Sequence, residues 1–208
     1  YLRDVHGGDV RGRTGIGAAH LLADDDDPGQ AHARRVLQSY EAEWLADRPD
    51  LRAIMFLVGL FDRPATPDCI DALRREPAIP GLTDELVKMD TVTFRHRVQR
   101  LRGAGLLAAA GGSVDTLDAH PLVREWFGQR LREINPAGWQ KAHERLFDHL
   151  RKQKEGDAPS LDDLAPLYQA IPHGCRADKH QDALDEVYVA RICRRRADSS
   201  IEFYSSQK

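Results

Sequence analysis

Apolar positions recur along this chain mostly at helical spacing. Ala33, Leu37, Tyr40 and Trp44 fall near i, i+4, i+7 and i+11, one face of a helix that Pro49 ends. In the next segment Leu51, Ile54, Met55 and Val58 form one stripe, and Leu57, Leu60 and Phe61 form a second. A helix apolar over most of its circumference belongs in a core. Thr66-Pro67 then supplies an N-cap and a first-turn proline for a short helix through Ile70 and Leu73. A third helix follows Asp90, with Phe94, Val98 and Leu101 on one face and Gly103 and Gly105 stopping it.

After Gly105 the period changes. Leu106-Leu107-Ala108 and Val114 to Leu117 flank Gly111-Gly112, which signals a β-hairpin. Three short helices followed by a two-stranded hairpin predict a winged helix.

From Pro121 the pattern is helical again. Val123, Trp126, Phe127, Leu131 and Ile134 share one face until Asn135-Pro136, and Trp139, Ala142, Leu146, Phe147 and Leu150 form the next. Ser160 with Asp163 reads as a capping box for a helix carrying Leu164, Tyr168 and Ile171, which Pro166 and Pro172 are expected to kink or shorten. Leu184, Val187, Tyr188 and Ile192 mark a last helix.

The expected fold class is therefore mainly α, a winged-helix domain with a small β-hairpin flanked by helical domains. The divisions fall at residues 1–48, 49–120 and 121–208, and a tetratricopeptide-like pair is conceivable at the end, although one copy shows no period.

Composition narrows the function classes. The 208 residues are 41% hydrophobic and 30% charged, enough for a sizeable core. Thirty basic against thirty-three acidic side chains leave a net charge of −3, which excludes a globally basic nucleic-acid coat but not a local basic patch. Cys69, Cys175 and Cys193 are odd in number and far apart, so a reducing cytoplasm is expected rather than a disulfide framework. The longest apolar run, Ile54 to Phe61, is interrupted by Gly59 and falls well short of the roughly 18 residues that span a bilayer, so no membrane partner is expected. The chain opens on Tyr1 with no methionine before Met55, and Phe203 and Tyr204 lie close to its end, so a fragment of something longer is expected.

Few residues carry chemistry. Gly12-Arg-Thr-Gly15-Ile-Gly17 lacks the lysine and hydroxyl of a phosphate loop and has the wrong order for a dinucleotide loop. Asp24 to Asp27 lack the alternating ligands of a calcium loop. His173, Cys175 and His180 match no zinc spacing and read as a helix end. No catalytic constellation and no metal site are expected.

The third helix carries Arg95, His96, Arg97, Gln99, Arg100 and Arg102, a supply suited to phosphate and guanine contacts in a major groove. At about 100° per residue, His96, Gln99 and Arg100 oppose the apolar face, with Arg95 and Arg102 on one shoulder and Arg97 on the other. A solvated helix would look similar. The DNA-reading candidates are Arg95, Arg97, Gln99 and Arg100. His120 precedes Pro121, which suits the first position of a helix, so His120 is the expected N-cap at an end that attracts anions.

The stretch Leu117-Asp118-Ala119-His120-Pro121-Leu122-Val123-Arg124-Glu125 resembles the end of the winged helix in STAND NTPases of the NB-ARC type. These are signal-transduction ATPases that include plant resistance proteins, the apoptotic protease-activating factor and bacterial multidomain regulators. There a Met-His-Asp triplet closes the winged helix and its histidine contacts the β-phosphate of ADP. Here Ala119-His120-Pro121 retains only the histidine.

The neighbouring segments extend the likeness. Tyr1 to about Arg48 is similar to the end of the family's first helical domain, and Leu51 to Asp62 to the opening helix of its winged helix. Leu161 to Tyr188 resembles the helical linker before sensor repeats in bacterial relatives.

The resemblance implies a cytoplasmic regulatory arm whose parent chain is an ATPase using ADP or ATP with Mg. Its partners would be an upstream nucleotide-binding domain of the same chain, downstream sensor repeats and, when activated, further copies. Walker A and B motifs are not in this stretch, so it is not expected to be an enzyme or to hold a cofactor alone. A winged-helix transcription regulator is the alternative, and an inert helical scaffold is a third reading.

Overall fold

The computed structural model describes residues 28–109, 115–154 and 160–193, and these are mainly α-helical. The glycine-rich start, the four aspartates and the Gly111-Gly112 turn lie outside the described residues. Helix α1 (Pro28–Ser39) runs on into a π-type turn, Tyr40–Trp44, and Leu37, Tyr40 and Trp44 are buried as their spacing predicts. Helix α2 (Pro49–Val58) is buried from Ala53 to Val58 and forms the centre of the core. Around it come α3 (Pro67–Leu73), α4 (Asp84–Val87), α5 (Thr91–Gly103), α6 (Pro121–Ile134), α7 (Pro136–Leu150) and α8 (Leu161–Arg176). Last is α9 (His180–Asp182), which continues as a π-type segment, Ala183–Ile192. One contiguous set of buried side chains runs from Leu37 to Ile192.

Local chemistry sets most boundaries. The Asp90 carboxylate accepts from the Thr93 amide at 2.9 Å and starts α5. Gly105, at φ 74°, ends it in a Schellman turn, in which the Leu106 amide reaches the Leu101 carbonyl and the Gly105 amide that of Arg102. Ser160 and Asp163 form the reciprocal capping box of α8. Asn135 serves two ends: its Oδ1 accepts from Gly138 at 2.9 Å to cap α7, while Nδ2 donates to the Pro80 carbonyl at 2.9 Å. That second bond ties the α6–α7 corner to the loop before α4.

Three expectations are corrected. The β-hairpin does not form strands among the described residues, because its backbone groups are spent elsewhere. The Leu106 and Leu107 amides finish α5 on the Leu101 carbonyl, and Leu117 exchanges both its bonds with Ala65, at 2.8 and 3.0 Å. Among the described residues, the Ala108 amide, 2.8 Å from the Asp118 carbonyl just past the second expected arm, is the one backbone bond across the expected hairpin. Secondly, α8 is not shortened at Pro166 or Pro172 but runs through both. Leu164, Leu167, Ala170 and His173 bury one side of it between α7 and the last segment, and this packing outweighs the lost amide bonds.

Thirdly, Ile134, Tyr168, Leu184 and Tyr188 are exposed. In the last segment Ala183, Val187 and Ile192 are the buried positions. A π-type segment advances about 4.4 residues per turn, which selects that set and rotates Leu184 and Tyr188 out.

Two helices meet backbone to backbone. A Cβ added at Gly59 would lie 2.3 Å from the Gly128 nitrogen, and one at Gly128 would lie 2.3 Å from the Gly59 oxygen. Gly59, which interrupts an apolar run in the sequence, thus lets the end of α2 touch α6.

Candidate functional site

His120 stands at the start of α6, with φ −55° and ψ 141°, and is exposed. Its Nδ1 accepts from the Leu122 amide at 3.3 Å, so it is the N-cap expected of it. A neutral imidazole accepting at Nδ1 carries its proton on Nε2, which has no partner among the described residues. The corner is fixed on both sides. Arg124 Nη1 donates to Asp118 Oδ1 at 2.5 Å, spanning the histidine, and the same oxygen accepts from the Ala119 amide at 2.8 Å. Ala119 itself is buried. An exposed N–H donor is therefore held at a helix N-terminus, where partial positive charge accumulates.

Helix α5 presents the expected faces. Phe94, Val98 and Leu101 are buried, and His96, Gln99 and Arg100 are exposed. Its arginines, however, are already engaged within the chain. Arg95 holds Asp115 with two bonds at 2.7 and 2.6 Å, which raises the guanidinium and holds the carboxyl below its ordinary range. Arg97 Nε bonds the Asp50 carboxylate at the start of α2. The Arg100 guanidinium lies 5.8 Å from the Trp44 ring centroid. Arg102 donates to the Ala108 and Thr116 carbonyls at 3.2 and 3.1 Å. Of the DNA-reading candidates Arg95, Gln99 and Arg100 are exposed, and Gln99 makes no such side-chain contact among the described residues.

A cleft of about 630 Å³ lies between α1 with its π-type turn and α6. Trp126 Nε1 donates to Glu41 Oε2 at 3.2 Å, and Arg130 Nε reaches both Glu41 oxygens at 3.2 Å. Arg34 faces Glu125 at 3.6 Å. Periodicity did not single out this cleft, because α1 and α6 are some ninety residues apart and the pairing is tertiary.

The three residues weighed as a zinc cluster are dispersed. Cys175 is exposed, and His180 faces Asp178 at 3.3 Å. His173 is buried, with Nδ1 2.7 Å from Nδ1 of the buried His143 on α7. Burial, and then the neighbouring His173 and Arg176, push His143 down to about 2; burial and Arg176 push His173 down to about 4. The pair is neutral, one ring donating and the other accepting.

No family model matches this chain, and no curated protein or solved structure matches it. Among the described residues, no helix is long and apolar enough to cross a membrane. The fold thus defines a mainly α-helical protein.

Proposed function

We propose that this chain is the regulatory arm of a STAND-type signalling ATPase, a winged-helix unit that closes on ADP held by an upstream nucleotide-binding domain. The observation that carries the reading is the His120 corner. A histidine caps α6 through Nδ1, keeps Nε2–H outward, and is braced by Arg124 and Asp118. The order α2, α3, α5 and the Ala65–Leu117 bridge also suit a winged helix that has contracted its sheet. Such an arm contributes no catalytic residue.

In this reading Nε2–H donates to an ADP phosphate beside the α6 N-terminus and favours the closed, resting state. A hydrogen bond to a charged group contributes about 1.5–3 kcal/mol, within the usual range of about 1–3 kcal/mol for coupling between sites. Exchange for ATP would lose the geometry and release the arm. A DNA-reading α5 has less support, since Arg95 and Arg97 would first have to leave Asp115 and Asp50.

The test uses a longer chain that includes the upstream domain. Nucleotide released on denaturation is identified by chromatography for wild type, His120→Ala and His120→Asp. Aspartate is a good N-cap but repels phosphate. Retained ADP that falls about 5–150-fold in affinity in both variants, with α6 intact in the aspartate form, supports the proposal. Unchanged ADP affinity in His120→Asp overturns it.

A further inference from the structure

Away from His120, the first turn of α3 and the last turn of α7 bring together three side chains of different donor type. Asp68 and Cys69 follow Pro67 on α3, and His149 comes from α7, eighty residues later. One donor atom from each, a carboxylate oxygen, a sulfur and a ring nitrogen, all lie within 4.8 Å of one another. His149 Nε2 already stands 2.8 Å from Asp68 Oδ2.

We propose that Asp68, Cys69 and His149 form a zinc-binding site that pins α3 to α7. Sulfur, imidazole and carboxylate together select a borderline-soft, tetrahedral ion over magnesium or calcium. Two ligands on one tetrahedral zinc stand roughly 3.3–3.8 Å apart, a range that falls between the 2.8 Å of the His149–Asp68 pair and the 4.8 Å that bounds the triad. The small opening needed between His149 and Asp68 is available, because Asp68 is exposed and its carboxylate can turn. Cys69 is buried and sits deepest, while the exposed Asp68 side leaves the fourth position to water. Three protein ligands with one open position is the pattern of a site that exchanges a ligand, not of a closed structural site.

The elements that meet here are already joined. Arg145, one turn before His149, donates to the carbonyls of Leu73, Arg75 and Pro77 at 3.0, 2.8 and 2.6 Å, which fixes the end of α3 against α7. The ligands therefore sit on a pre-organised frame. Burial pushes the Cys69 thiol up to about 11, so zinc binding at neutral pH displaces one proton from sulfur as the Zn–S bond forms.

The test is a cobalt(II) titration of the chelator-treated chain, followed by zinc. One equivalent of cobalt should produce visible d–d bands of tetrahedral geometry and a near-ultraviolet thiolate-to-cobalt band, both erased by zinc. Cys69→Ser should remove the thiolate band, and Cys175→Ser and Cys193→Ser should leave it. Because serine at a buried position can disturb folding, Asp68→Asn and His149→Gln serve as second variants. Each should weaken cobalt binding at least about tenfold with the helical circular dichroism unchanged. Absence of the thiolate band in wild type, or a band that survives Cys69→Ser, overturns the proposal. Binding that does not change in both Asp68→Asn and His149→Gln overturns it as well.

Discussion

The crossing of α2 with α6 and the crossing of α7 with α8 solve one packing problem with opposite materials. At the first, two glycines let the backbones touch, and the neighbours are apolar, with Phe56 and Phe127 edge to face at 6.1 Å between centroids. At the second, two imidazoles are buried in the seam, with Trp139 packed edge-on against His143 at 4.5 Å and Phe61 against His173 at 5.7 Å. Sterics alone govern the glycine contact, which is indifferent to pH. The histidine contact keeps a donor and an acceptor only while at least one ring is neutral, since two protonated rings could only donate to each other. The two crossings therefore differ in their sensitivity to solvent conditions.

Acid should separate the two crossings most strongly. Both histidines titrate lower in the folded chain than in the unfolded one, so the unfolded state binds protons first. Their contribution is complete above pH 6.5 and is lost as the pH falls through the window towards about 4 and about 2. Between pH 6.5 and 5 the expected slope is up to about 1.4 kcal/mol per pH unit for each histidine. Urea unfolding across that range measures it, and a His143→Leu, His173→Leu double variant should flatten the dependence. A wild-type stability that does not change between pH 6.5 and 5 would refute the neutral pair.

The glycine crossing is broken by one methyl. Gly128→Ala places a Cβ 2.3 Å from the Gly59 oxygen and forces α2 and α6 apart, for an expected loss of about 3 kcal/mol. Its cost should be the same at pH 7 and pH 5, and a pH-dependent cost would show that the crossings are coupled.

Smaller effects sharpen the picture around these seams. Arg145→Ala removes three carbonyl contacts between α7 and the α3 end and should cost about 2 kcal/mol in thermal or urea unfolding. At the other extreme, a Cβ at Gly103 meets nothing within 4 Å. Gly103→Ala at the end of α5 should therefore stabilise the chain by about 0.4–1 kcal/mol, and a loss of stability would mean that α5 is packed more tightly there.

Much of the local structure was legible in the chain. Pro49, Pro67, Pro121 and Pro136 sit at helix starts, and Asp90, Ser160 and Gly105 act through bonds to residues no more than five positions away. His120 as the cap of α6 belongs to the same group. Such features are decided by steric and hydrogen-bonding preferences within one or two turns, which the sequence carries directly. The short α4 was missed, because four residues give no period to read.

Tertiary structure decided the rest. Whether Leu117 pairs with the strand expected across Gly111-Gly112 or with Ala65 depends on which partner the folded core offers, and Ala65 lies more than fifty residues away. The α5 arginines look available for DNA in the sequence, yet Asp50 and Asp115 are brought to Arg97 and Arg95 only by packing. His173 reads as part of a helix end until α7 sets His143 against it. Asp68 and Cys69 gain a third donor of another kind only because α7 returns His149 to α3. The sequence by itself determined where helices begin, end and turn apolar, because those choices are local. Which polar groups met across the core was set by chain return, whose contacts are non-local and leave no periodic trace.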